Sequence, residues 1–221
     1  MKLYGYWRSS CSYRVRIALA YKGLPVTQVP VHLLEGGGQQ HLPEFVRKNP
    51  MRQVPLLEVE DQGRTEWLGQ SLAIIEYLEE KHPEPPLLPS GAIARARARQ
   101  LAEVVNSGIQ PFQNLSVQQE IARIAPGLSP STFAAGYVAR GLEALEGLAR
   151  STAGKFLVGD ELSVADVCLV PQLYAARRLA VALAPFPTLL GVEQRCVELA
   201  CFRQAHPDNQ PDADRARDGK E

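Results

Sequence analysis

Paired cysteines are the first thing missing from this sequence. Its four cysteines, at 11, 168, 196 and 201, never fall in the CxxC spacing of a zinc ribbon or dithiol redox site. In a reducing compartment they are expected to stay free thiols. An excess charge is missing too. Lys plus Arg number 24 and Asp plus Glu number 24, for a formal net charge of zero. That balance gives no global attraction to nucleic acid or to an anionic membrane surface, and leaves small molecules or other protein chains as partners. The start, MKLYGYW, lacks the apolar run of a signal peptide, and no segment reaches the ~18 uninterrupted apolar residues of a membrane helix. A cytoplasmic location is therefore expected. The four histidines are scattered without an HExxH or paired helical spacing, so no metal is expected. What is present is a chain of 221 residues, 45% hydrophobic, long enough for one large domain or two small ones.

The first third alternates element types. KLYGYW reads as a strand, SSCSYRVRIALAYKG as a helix with serines at its start and Gly23 at its end, and PVTQVPVHL as a second strand. This is a βαβ unit. A Gly-rich loop at 35–38 leads to LPEFVRKNP, a short helix stopped by Asn49-Pro50. VPLLEVED and GRTEWL follow as strands joined by turn chemistry, then SLAIIEYLEEKH as a helix. One small mixed sheet with helices packed on it accommodates these pieces. Prolines at 83, 85, 86 and 89 break the pattern and read as a linker. Beyond them the composition is helical throughout. AIARARARQLAEVVNSGIQPF is expected to form a helix disturbed near Gly108 and Pro111. STFAAGYVARGLEALEGLARS forms another, with an apolar stripe at 133, 137, 138, 142 and 145. SVADVCLVPQLYAARRLAV opens on a capping box made by Ser163 and Asp166. The expected domains are 1–82, a linker at 83–91, a helical domain at 92–211 and a flexible tail at 212–221.

Chemistry gathers at two helix starts and one strand start. The first turn of a helix leaves amide N–H groups unbonded and carries the positive end of the helix dipole, so Ser9, Ser10 and Cys11 stand where a thiolate or carboxylate is favoured. Either serine could instead only cap the helix, and Cys11 could be a small packing residue or a nucleophile of depressed pKa. Arg14 and Arg16 are expected to be solvated or ion-paired. Pro55, at the head of an apolar strand, removes a sheet donor and exposes the main chain of Val54; a cis peptide there would turn that backbone outward. Gln70 and Ser71 open a further helix in the same way as Ser9 and Ser10.

Taken together, SSCSYRVRIAL, NPMRQVPLLE, QSLAIIEYLEE, the Pro-rich linker, GIQPFQNLSV and GDELSVADVCLVPQLYAARR resemble a zeta-class glutathione transferase over nearly the whole chain. The resemblance implies an α+β fold: an N-terminal thioredoxin-like domain that binds glutathione, followed by an all-α C-terminal domain, as a homodimer. It places Ser9, Ser10 and Cys11 at the glutathione sulfur. It pairs the main chain of Val54 with the peptide, sets Gln70 and Ser71 on the γ-glutamyl carboxylate, and puts Gln39 or Gln40 near the glycyl end. Gln110 and Arg178 become substrate contacts, with Arg8 as a further cation for a substrate carboxylate, and Ser163 and Asp166 are assigned to folding.

The implied reaction is glutathione-dependent cis–trans isomerisation of maleylacetoacetate to fumarylacetoacetate. A thiolate adds beside the carbonyl, the carbon–carbon bond rotates as a single bond, and the thiolate leaves. A thiol of pKa ~8.5 is only about 3% ionised at pH 7, and lowering that pKa by ~2 units is worth about 2.7 kcal/mol. Competing readings use the same fold. They are isomerisation of maleylpyruvate, conjugation or dehalogenation in which the product keeps the glutathione, thiol oxidoreduction at Cys11, and noncatalytic ligand binding.

Overall fold

The computed structural model describes residues 1–213. Alternating side chains along KLYG form strand β1 (Lys2–Gly5), with Leu3 and Gly5 turned inward. Helix α1 (Ser10–Tyr21) follows, and Gly23, at φ 65°, supplies the left-handed turn that ends it. Strand β2 (Thr27–Pro30) runs parallel to β1, pairing Leu3 with Gln28. After helix α2 (Pro43–Lys48), strands β3 (Leu56–Asp61) and β4 (Arg64–Gly69) form the expected hairpin. Gln62 and Gly63 both take positive φ (47° and 76°), as a two-residue primed turn requires. Strand β3 is antiparallel to both neighbours, and the sheet order is β2-β1-β3-β4. Helix α3 (Ser71–Lys81) completes the ββα half. Leu3, Leu57, Ile17, Ile74 and Leu78 are all fully buried and form the core between sheet and helices.

Packing divides the chain into two compact units. One comprises Met1–Pro86 and the segment from Leu199, and the other Leu87–Glu198. The crossing at Pro86 and Leu87 falls inside the expected linker. At the far end the division differs from the expected one: helix α9 (Ala200–Ala205) packs against α1, so the helical unit ends before residue 211. Two contacts explain the return. Arg16 Nε donates to the Ala205 carbonyl at 3.1 Å, and Asp212 accepts from the Trp7 N–H at 2.8 Å. Of the tail expected to be flexible, residues 214–221 lie outside the described residues.

Lys22, buried at the end of α1, clamps the close of the same unit. Its ammonium reaches the carbonyls of His82 and Pro85 at 2.7 and 2.9 Å and the Glu79 carboxylate at 2.7 Å. On the sheet, Glu58 accepts from Lys2 and Tyr4, each at 2.7 Å. The Lys2 bond, followed by that of Tyr4, holds its carboxyl down at about 2.

The second unit is helical: α4 (Ala92–Asn106), α5 (Leu115–Ile124), α6 (Pro130–Ala149), α7 (Val164–Arg178) and α8 (Pro187–Val197). The expected break of the first long helix falls after Asn106, before a short 3-10 turn at Gln110–Gln113. On α6 the buried stripe is Ala134, Val138, Leu142, Leu145 and Ala149; Phe133 and Tyr137 lie beside it, half-buried. Tyr137 stacks on Phe112 with ring centroids 3.9 Å apart, which accounts for its aromatic face turning off the core.

The expected capping box is present on α7. Asp166 accepts from the Ser163 N–H (2.8 Å), the Ser163 hydroxyl (2.9 Å) and the Leu157 N–H (2.8 Å). Burial is the largest influence on its carboxyl and lifts it to about 6, against those bonds, which favour the ionised form. Glu146 does similar work between helices. Its carboxylate accepts from the amides of Thr188 and Leu189 and from the Thr188 hydroxyl, capping α8 from α6. Burial opposes its charge, yet those bonds outweigh it and hold the carboxyl below its ordinary value.

Candidate active site

Ser9 is the N-cap of α1, with extended backbone and its side-chain oxygen accepting from the Ser12 N–H at 3.2 Å. The capping reading is therefore correct for Ser9, but it does not exhaust the residue. A hydroxyl has one proton as well as its acceptor pairs, and accepting from Ser12 leaves that proton to give away. Ser10 and Cys11 follow as the first helical residues, Ser10 buried and Cys11 half-buried, and the first turn of α1 contains no acidic side chain. Within that turn no carboxylate of the chain competes with an incoming anion for the positive end of this helix.

The segment before the helix is braced from behind. Ser12 is fully buried and its hydroxyl receives the Tyr6 N–H at 3.4 Å. Gly5 lies so close that a Cβ there would stand 3.2 Å from the Ser12 hydroxyl oxygen. Arg16 donates to the carbonyls of Trp7 (2.9 Å) and Tyr6 (3.5 Å) as well as to Ala205. Arg8 is half-buried, its guanidinium 5.2 Å from the centre of the Trp7 ring.

Arg14 and Arg16, expected to be solvated or ion-paired, correct the first of those alternatives. They are 0% and 5% exposed, neither solvated nor on a polar surface. Arg14 donates to the Ser71 hydroxyl at 3.2 Å, joining the second turn of α1 to the start of α3. A sequence signal for their burial existed: neither arginine has an Asp or Glu three or four positions away along the helix, so local ion pairs were excluded.

At α3, Gln70 takes φ 67° and stands exposed, with no side-chain cap for the helix. Ser71 is the first helical residue rather than the N-cap, and is 3% exposed. Among the described residues, the amides that open α3 thus have no side-chain acceptor. Val54 precedes Pro55 through a cis peptide and sits just outside β3, its side chain against the Val31, Phe45 and Leu56 cluster. Among the described residues its main-chain N–H and C=O have no hydrogen-bond partner. The Asn49 amide braces this turn by donating to the Gln53 carbonyl at 2.8 Å.

The two glutamines of the Gly-rich loop separate in role. Gln39 accepts from the His32 N–H through its side-chain oxygen and donates its main-chain N–H back to the His32 carbonyl, so both of these groups are engaged within the loop. Gln40 is 7% exposed, donates to the Leu33 carbonyl at 3.2 Å and keeps a buried Oε1 with no partner. Gly69 is not sterically required, since a Cβ there would meet Asn49 at an ordinary 3.6 Å.

In the helical unit, Gln110 opens the 3-10 turn and accepts from Gln113 at 2.9 Å; Gln113 in turn bonds Gln172. Arg178 closes α7 and is exposed, whereas Arg177 is engaged by Glu193 through two 2.5 Å bonds. Among the described residues no group of His, Cys, Asp and Glu has the arrangement a metal ion needs.

Comparison with known proteins fits this arrangement. The family description "Glutathione S-transferase, N-terminal domain" matches residues 3–86, and "Glutathione S-transferase, C-terminal domain" matches residues 92–195. The maleylacetoacetate isomerase of Rattus norvegicus is 48% identical over 95% of this chain and 94% of that protein. The crystal structure of the maleylacetoacetate isomerase from Anaeromyxobacter dehalogenans, with glutathione bound in its active site, is 51% identical. It covers 96% of this chain and 97% of its own, with a TM-score of 0.88. A maleylpyruvate isomerase described as a bacterial glutathione S-transferase of the zeta class is 39% identical, covers 96% of this chain and all of its own, and has a TM-score of 0.89. This chain belongs to the glutathione S-transferase family, in its zeta class.

Proposed function

We propose that this protein is a glutathione-dependent cis–trans isomerase that converts maleylacetoacetate to fumarylacetoacetate. The observation that carries the reading is the open start of α1, where a hydroxyl with a spare proton and unbonded amides stand together without an acidic side chain. The fit to glutathione rests on three further features: the unpartnered main chain of Val54, the open amides of α3, and the unpartnered Gln40 oxygen. Bound there, glutathione supplies a thiolate that adds to the cis double bond, allows rotation and departs unchanged.

The chain's own residues do the rest. Ser9 donates its hydroxyl proton to the anionic sulfur, and the amides of the first turn add the helix dipole, together favouring the ionised thiol at neutral pH. Ser10 and Cys11 line the same turn. Val54 offers one donor and one acceptor to a peptide backbone, and Gln70 and Ser71 receive a carboxylate. Arg8 of the first unit is assigned to a substrate carboxylate, guanidinium being suited to gripping carboxylate through two parallel bonds; Gln110 and Arg178 of the second unit are each assigned as substrate contacts. A homodimer and a cytosolic location belong to the same proposal. Exposed Met51 and Trp67 on the first unit support the former, and four cysteines that are all thiols support the latter.

The test is spectrophotometric turnover of maleylacetoacetate with catalytic glutathione. Isomerisation that requires glutathione without consuming it is the expected result; glutathione binding without turnover overturns the substrate. Maleylpyruvate is the second reading, favoured by the similarity to a solved maleylpyruvate isomerase, and the same assay with that substrate decides between them.

A further inference from the structure

We infer that Arg14 is a positioning residue for the anion site at the start of α3, acting through Ser71; the inference rests on the glutathione reading above. Three observations lead to it. Arg14 is completely buried, an unusual place for a guanidinium, and it lies one turn beyond Ser10 and Cys11 on α1. Its Nη1 donates to the Ser71 hydroxyl oxygen at 3.2 Å, across 57 residues of sequence. Ser71 is the first residue of a helix that no side chain caps among the described residues, so its hydroxyl belongs to the group of donors that would meet a carboxylate.

A serine hydroxyl carries a single proton that rotates to suit its surroundings. With a guanidinium donating to its oxygen, that proton turns away from Arg14 and toward the opening of the helix. The cation also polarises the hydroxyl, making it a stronger donor than a serine bonded to a neutral group. The charge of Arg14 thereby reaches the carboxylate site without the guanidinium touching the ligand. One helix then governs two groups of the tripeptide: its first turn serves the sulfur of the central cysteine and its second turn, through Ser71, serves the γ-glutamyl carboxylate.

Calorimetric titration with glutathione and with γ-aminobutyryl-cysteinyl-glycine, which lacks only that carboxylate, tests the inference. The Arg14→Gln variant is expected to bind glutathione roughly tenfold more weakly and the analogue unchanged, the loss being that of one charge-assisted bond. Its KM for glutathione rises by a similar factor while kcat at saturating glutathione holds. Combined with Ser71→Ala, it adds no further loss. Arg14→Lys keeps the buried cation and is the variant to use should the neutral one fail to fold; it is expected to show a smaller loss, again confined to glutathione. Equal weakening toward both ligands, or losses that add to those of Ser71→Ala, would mean Arg14 only holds the fold and overturns the inference. Wild-type protein that binds neither ligand overturns the glutathione reading itself.

Discussion

Helices α1 and α7 both begin at a serine, yet the two starts are built for opposite ends. At α7, Ser163 and Asp166 are fully buried and answer each other, and Asp166 also takes the Leu157 amide. At α1, Ser9 is half-buried, caps with its oxygen alone, and is followed by a first turn without acid. The residue type is the same; what differs is whether a carboxylate is supplied by the chain. Where the chain supplies it, the helix start is closed and serves folding. Where it does not, the dipole and the hydroxyl proton remain available to an anion from outside.

The largest effect expected from breaking this contrast is at Asp166. Asp166→Ala strands the donors of Ser163 and Leu157 in the interior and should cost about 4 kcal/mol in urea unfolding, a few times the worth of an ordinary hydrogen bond; a loss under about 1 kcal/mol would refute the closed reading. The pH dependence has a definite sign. An unfolded aspartate releases its proton near 3.9 whereas the folded one keeps it to about 6, so stability falls as pH rises through that window. Asp166→Asn should remove that slope.

Ser9→Ala is the mirror experiment. We expect about a hundredfold loss of kcat/KM near neutral pH, the equivalent of about 2.7 kcal/mol, for only about 1 kcal/mol of folding stability. The defect should narrow at alkaline pH, where glutathione ionises unaided, and a pH profile from 6 to 9 measures it. Next in size is Cys11→Ala, for which we expect less than about a threefold change, under about 0.7 kcal/mol, because the sulfur that reacts belongs to the cofactor. Abolished turnover in that variant would bring back the thiol oxidoreductase. Smallest is Glu58→Gln, remote from both helix starts. Because Glu58 is held at about 2, its contribution is present above the ordinary carboxylate range and is lost as pH falls from about 4.5 toward 2. The variant should flatten that acid limb by less than about 1 kcal/mol, its Lys2 partner being half in solvent.

Legibility from sequence followed the range of the interactions. The βαβ and hairpin elements, the end of α1 at Gly23 and the capping box were readable because a few adjacent residues determine them. Helices α5, α8 and α9 were not separated within a composition that is helical throughout. At the site, Pro55 marked Val54, and the two serine-opened helices marked themselves. The roles of Arg14 and Arg16 stayed hidden because their partners are Ser71 and Ala205, far along the chain. Likewise nothing local announced that the Gln39 side-chain oxygen is taken by His32 while Gln40 keeps an unsatisfied oxygen.

The return of α9 to α1 has a consequence for how the protein is made. Synthesis proceeds from the N-terminus, and the first unit holds residues from both ends, so the helical unit has emerged in full before the first can close. The Tyr6–Trp7 carbonyls can be fastened by Arg16 at once, but the Ala205 carbonyl and the Asp212 carboxylate arrive last. A nascent chain stopped at residue 198 would carry every residue proposed for the site and still lack the brace behind the start of α1. Emergence of residues 200–212 is thus the step that completes the brace behind the start of α1.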